Sequence, residues 1–338
     1  MLSRPSRPVH AGLRLSPLRA GRFLRPAGYH RVMRCLAVLV LLLFSLAQPG
    51  LADLRSDTLG LARLGWNYQL RSAMFRRDTT IPVHIHGRDL SGAALCIVGD
   101  PPDPQTTETL KAFGALLDRT YGKPLPMRFA GAEARACGFG RRVVLRLYSG
   151  TPPHDALTRD LAWLDRVHAL GLPKGRRYRA TTPGMAQTFF GRRGAATHLL
   201  VQQGGEAPSD PLSRAYFRSI LVEELFQSFT FGMDILKLDR QAPFLSKLEE
   251  IPLDLRRLPW GSEAFMAALL RSNPARLCPF DVLMLHAVAA SPVGQTTDPA
   301  FLDWIDAAFD SLSDQAQATL SDARLAPVLD AACAPFAP

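Results

Sequence analysis

Acidic residues are absent from the first 34 positions, which instead carry eight arginines: Arg4, Arg7, Arg14, Arg19, Arg22, Arg25, Arg31 and Arg34. Long apolar runs are lacking too. Leu36 to Leu46 is almost unbroken in its hydrophobicity but covers 11 residues, against the ~20 that a membrane-spanning helix needs. A basic stretch, a short apolar run and the small-residue end Gly50-Leu51-Ala52 read as a secretory signal peptide over residues 1–52, cleaved after Ala52. Met33-Arg34-Cys35 ahead of the same run makes a compact leader by itself, so residues 1–32 are an over-long start or an extended basic region. The expected location is the periplasm or the medium, with no transmembrane anchor after cleavage.

Several chemical signatures are missing as well. There is no Gly-x-Ser-x-Gly elbow, which removes the α/β-hydrolase nucleophile, and no glycine loop of the kind that cradles phosphate. No Cys-x-x-Cys occurs, which argues against a redox or zinc-ribbon role. No internal repeat or low-complexity tract follows the leader.

The formal charge of +10 suggests a nucleic-acid partner until the leader is set aside. Of 40 basic residues, eight lie in the leader, leaving 32 against 30 acidic ones in residues 53–338. The pairs Arg141-Arg142, Arg176-Arg177 and Arg192-Arg193 are scattered and read as solvated turns. No nucleic-acid partner is expected, and no cofactor.

Residues 53–338 number 286, enough for one large domain, and 47% of the chain is apolar. Four cysteines remain after cleavage. An even number in an exported chain suggests two disulfides. Three pairings exist; Cys96–Cys137 with Cys278–Cys333 is preferred because each bond closes a loop within its own half.

Patterning divides the chain into an N-terminal α/β half, 53–205, and a helical half, 206–338, together one domain. Strands are expected at Thr80–His86, Ala93–Val98, Arg142–Tyr148 and His198–Gln202. Helices are expected at Thr106–Tyr121, with Asp103 and Pro104 at its entrance, and at Asp155–Leu170, closed by Gly171. The second half offers Pro211–Phe231, Ser262–Leu270, Pro279–Ala290 and Pro299–Leu312, with a loop-rich Asp239–Pro259 between. The fold class is α+β: a mixed twisted sheet with packed helices, followed by a helix-rich C-terminal half.

The longest helix, capped by Ser209 or Asp210 ahead of Pro211, carries Glu223-Glu224-Leu225-Phe226-Gln227 and ends near Gly232-Met233-Asp234. Zincin peptidases use His-Glu-x-x-His, which sets two imidazoles on one helical face with the glutamate as general base; metzincins add x-x-Gly-x-x-His. On that pattern Glu223 and Gln227 stand for the first two histidines, Thr230 for the glycine and Met233 for the third histidine, while Glu224 and Asp234 are kept. Glu223, Glu224 and Gln227 are therefore the candidate catalytic residues, and Glu223, Gln227 and Asp234 the candidate metal ligands. A carboxylate, an amide and a thioether suit zinc poorly. Two further sites read as structural: His84-x-His86 as polar residues of an edge strand, and His286 near Met284 as a core histidine.

Ile220 to Asp234 (ILVEELFQSFTFGMD), with Phe280 to Ala287 (FDVLMLHA), resembles the bacterial domain-of-unknown-function family numbered 2927, whose central helix shows Glu-Glu-Leu-x-Gln-x-Leu-Gly-Leu-x-Asn-Asp. The likeness covers residues 75–290. This chain departs from it at Thr230, where glycine is usual, and at Met233, where asparagine is usual, so the turn is expected around Gly232. The resemblance implies a zincin-like fold and an exported protein rather than a reaction. The expectation is a non-catalytic zincin-like protein that binds a peptide or envelope component. The alternative is a hydrolase using Glu223, Glu224 and Gln227, with an atypical metal or none. In either case Glu223 and Gln227 should face one site, closed from below by Asp234 and the helix from Pro279, with Met284 or its neighbours beneath.

Overall fold

Segments dense in β-branched and aliphatic residues must be covered on both faces, and two of them build the centre of the sheet. In the computed structural model these are Ala94–Gly99 (β1, ALCIVG) and Arg142–Ser149 (β3, RVVLRLYS), preceded by helix Leu51–Gly65 (α1). The structure describes residues 51–67, 93–140, 142–205 and 210–334. Residues 1–50 of the expected signal peptide, the expected strand Thr80–His86 with His84 and His86, and Arg141 lie outside the described residues. Ala52–Pro338 make up one compact unit.

The chain is α+β. Helix Pro104–Tyr121 (α2) follows β1, then come Met127–Phe129 (β2), β3, helix His154–His168 (α3), and strands Gly184–Gly191 (β4) and Gly194–Gln203 (β5). The strand order is β2-β1-β3-β5-β4. All neighbours run parallel except β4, which folds back antiparallel to β5 through the exposed pair Arg192-Arg193.

Side chains alternate between the faces of the sheet. Leu95, Ile97, Leu145 and Leu199 join the core under α2 and the central helix Pro211–Thr230 (α4). Cys96, Val98, Val144 and Leu200 face α3, through Leu157, Leu161 and Leu164. On this second face Asp160 accepts two bonds from Arg146, at 2.5 and 2.7 Å, and one from His198 at 3.0 Å. Asp160 titrates below the usual range because these partners outweigh its burial.

Beyond α4 lie a two-strand ladder, Ile235–Leu236 (β6) with Glu249–Glu250 (β7), and helices Glu263–Ser272 (α5), Pro279–Ala290 (α6) and Pro299–Leu320 (α7). No helix among the described residues is long and apolar enough to cross a membrane. The structure pairs Cys96 with Cys137 and Cys278 with Cys333, at Cα separations of 5.8 and 4.9 Å.

Four local expectations need correction. α3 stops at Ala169, not Gly171: Ala169 adopts a left-handed φ of 53°, and the Asp165 carboxylate takes the Gly171 and Leu172 N–H groups. β4 was not foreseen, since GMAQTFFG is short of β-branched residues and its pairing comes from β5. β2, three exposed residues held by β1, was also missed. α7 runs eight residues past Leu312 because Ala316 and Thr319 continue its buried stripe.

Candidate functional site

Helix α4 starts where Asp210 accepts the Ser213 N–H and Pro211 takes the first position. It ends at Phe231, in left-handed conformation with φ 60°, whose N–H returns to the Gln227 carbonyl. The turn is thus built on Phe231, not on Gly232. Gly232 serves close approach instead, because a Cβ there would lie 2.6 Å from both Leu248 and Trp66. Thr230 replaces the expected glycine by receiving the Gly232 N–H on its hydroxyl, at 3.2 Å.

Most of α4 is buried among apolar neighbours, so its three polar side chains near the C-terminal end each need a partner. Glu223 finds two. Its Oε2 accepts from Lys247 Nζ at 2.5 Å and from Asn273 Nδ2 at 2.8 Å. Lys247 is wholly buried. The loop that carries it is fixed by Asp281 of α6, which accepts from the Ser246 hydroxyl, the Lys247 N–H and the Cys278 N–H at 2.6 to 2.7 Å. Burial still pushes the Asp281 carboxyl up to about 7 against these bonds.

Glu224 turns the other way, under the start of β4, and is 8% exposed. Residue 184 has to be glycine for this: a Cβ there would sit 2.5 Å from Glu224 Oε1 and 2.5 Å from Ile220 Cγ2. Glu224 Oε2 has no hydrogen-bond partner. Burial, with Glu223 and Asp234 adding repulsion, raises Glu224 well above the usual carboxylate range.

Gln227 donates its amide to Asp234. The β6–β7 ladder sets Leu236 opposite Glu250, which brings Asp234 and Glu250 to the same corner. Carboxylate oxygens of Glu223, Asp234 and Glu250 lie within 4.8 Å of one another. Asp234 shows surface to the cleft yet is ringed by protein, and desolvation, then the Glu223 charge, raises it to about 6. The same causes, with Asp234 adding repulsion, take Glu250 to about 7. Lys247 pulls Asp234, Glu250, Glu224 and Asp281 back down.

Glu223, Glu224, Gln227, Asp234, Glu250 and Asn273 line a cleft of about 700 Å³. Its floor is the Glu223–Gln227 face of α4, and one wall is Thr181–Gln187, leading into β4. A further part of the lining is Leu253, Asp254, Leu255, Leu258, Trp260 and Phe265, apolar apart from Asp254, with Trp260 stacked on Phe265. Gln202 N–H bonds to the Pro183 carbonyl, and pairs alternate along an antiparallel ladder, so Met185 and Gln187 direct their backbone groups at β5. Gly184, Ala186 and Thr188 therefore direct theirs outward, along a strand whose only partner strand among the described residues is β5.

Glu223, Glu224, Gln227 and Asp234 thus share the cleft. Met233, in the third-histidine position, does not: it is 49% exposed and absent from the lining. Met284 is fully buried in the core and is not part of the cleft lining, and α6 meets the Lys247 loop through Asp281. His286 is a core histidine held by Thr319, as burial pushes it down to about 4. As a zinc set the residues do not fit. Glu223 is occupied by an ammonium and an amide, Gln227 faces Asp234 with its amide donor, and the third position has left the site. Lys247, Asn273 and Glu250 carry no motif and only the fold unites them.

Comparison of the chain with protein-family models, with curated proteins and with solved structures gives no match.

Proposed function

We propose that the chain is an exported, zincin-like protein that binds an extended peptide or envelope component in the α4–β4 cleft without cleaving it. The observation that carries this reading is the buried Lys247 ammonium on Glu223. It gives the helix face of the expected first ligand a built-in cation, which holds the Glu223 oxygen that a metal at that position would need. The outward backbone groups of Ala186 and Thr188, with the Gly184 N–H, suit a ligand that adds a strand, while the Gly184 carbonyl already accepts from the Thr182 hydroxyl. The resemblance of Ile220–Asp234 to family 2927 supports the same fold and an exported location.

One observation favours a hydrolase instead. Glu224 is a buried carboxyl of raised pKa with a free oxygen in the cleft, a proton donor by type. Hydrogen exchange and mass spectrometry separate the two. Incubation with a library of extended peptides should protect the Gly184–Thr188 amides and leave every peptide intact. Cleavage products that vanish in Glu224→Gln would favour the hydrolase, and unprotected β4 amides would remove the binding reading.

A further inference from the structure

The acidic end of the cleft is charged beyond what the protein itself balances. Glu223, Asp234 and Glu250 bring three carboxylates to within 4.8 Å, and Lys247 brings one ammonium. Gln227 adds an amide donor to Asp234 but no charge. Two residues that line the cleft also carry a buried atom without a partner: Glu224 at Oε2, and Asn273, 1% exposed, at Oδ1. The Asn273 oxygen can only accept. Leaving such an atom unmet costs about 1–3 kcal/mol, so the cleft awaits donors as well as positive charge.

Shape narrows the ligand further. A cleft of about 700 Å³ with a long apolar wall is far larger than a bare ion needs. A divalent cation at the three carboxylates would also stand against the Lys247 ammonium, which holds the Glu223 oxygen. A ligand with an aliphatic stem and a cationic head meets both ends of the cleft. Lysine and arginine side chains have that form, and their stems lie readily along apolar surface. An arginine head supplies five donors and a lysine head three.

We infer that the cleft selects a peptide carrying a lysine or arginine, its backbone added to β4, its stem along Leu253, Leu258 and Trp260, and its head between Asp234 and Glu250. The inference rests on the peptide-binding reading and specifies what the acidic end recognises. Asp234 and Glu250 are the specificity residues, and Glu223, already held by Lys247, is a positioning residue for that end. Binding at neutral pH is expected to release protons, because a cation beside Asp234 and Glu250 favours their ionised forms.

The test is titration calorimetry of the exported protein against four extended octapeptides of alanine, valine and threonine. They differ at one central position: lysine, arginine, norleucine or glutamate. Norleucine keeps a lysine-like stem without the charge. The lysine and arginine peptides should bind at least about tenfold tighter than norleucine, a difference of about 1.4 kcal/mol, and the glutamate peptide should not bind. Asp234→Asn and Glu250→Gln should erase the preference while keeping the norleucine affinity, and Glu133→Gln, on a surface pair with Arg159, should preserve it. Thermal melting checks that each variant is folded; the peptide series in the unaltered protein decides the matter in any case. Equal affinity for lysine and norleucine would overturn the cation preference and leave peptide binding standing. No binding by any peptide would overturn both, and so would one tightly held divalent cation per chain that Glu250→Gln releases and that lysine peptides fail to displace.

Discussion

Lys247 Nζ lies 2.5 Å from Glu223 Oε2, with the lysine wholly buried and the glutamate side chain 12% exposed. Two charges withdrawn from water at this depth persist only with close pairing and further hydrogen bonds. Asn273 supplies one to Glu223, and Asp281 anchors the Lys247 backbone. The pair ties α4 to the loop before β7 and to the N-terminal end of α6, so it organises the floor of the cleft.

Removing one member should therefore be severe. Lys247→Met is expected to cost about 3–5 kcal/mol of stability by stranding Glu223. The double variant Lys247→Met with Glu223→Leu should recover much of that loss. Urea denaturation measures both. A single-variant loss below about 1 kcal/mol would show that the pair does not organise the floor.

The pH dependence follows from the raised carboxyls. Asp234 titrates near 6, and Glu250 and Asp281 near 7, each above its unfolded value. Between the unfolded and folded values the native state holds more protons than the unfolded chain, so stability falls as pH rises. The melting temperature should decline from about pH 5 to about pH 8 and then level. Glu250→Gln should flatten the decline and stabilise the protein at pH 8. A melting temperature that rises across this window would contradict the burial of these groups.

The elements that pattern and capping dictate were legible before the structure: α2 with Asp103 and Pro104, α4 with Pro211, and α6 over Pro279–Ala290. Each combines a local start signal with an apolar stripe. The Glu-Glu-x-x-Gln face could be named because its i, i+4 spacing matches the zincin His-Glu-x-x-His pattern. Lys247, Asn273 and Glu250 could not, since nothing local marks them and each meets Glu223 or Asp234 only through tertiary packing. β4 escaped for a related reason. Its weak strand pattern is stabilised by β5, and Gly184 is needed for the approach of Glu224.

That approach is itself testable. Gly184→Ala places a methyl within 2.5 Å of Glu224 and Ile220 and should cost about 1–3 kcal/mol by overpacking. Glu224→Ala should relieve part of the cost, so the two changes should be non-additive in denaturation curves. Gly60→Ala, in α1 with nothing within 4 Å, should instead stabilise by up to ~1 kcal/mol. Additive effects for residues 184 and 224 would mean that the helix and β4 are not in contact there.

The disulfides join residues 41 and 55 positions apart. Each should contribute roughly 2–4 kcal/mol, and each should appear as its own linked peptide pair when the unreduced protein is digested and weighed. Cys96 linked to either Cys278 or Cys333 would contradict the arrangement.

The most direct test is zinc content. The protein is purified without chelator, offered equimolar zinc, passed through a desalting column and analysed by plasma mass spectrometry. With Lys247 paired to Glu223 and Met233 turned outward, far less than one zinc per chain should be retained. One zinc held per chain, and lost in Glu223→Ala, would contradict the account and restore a metal to the helix.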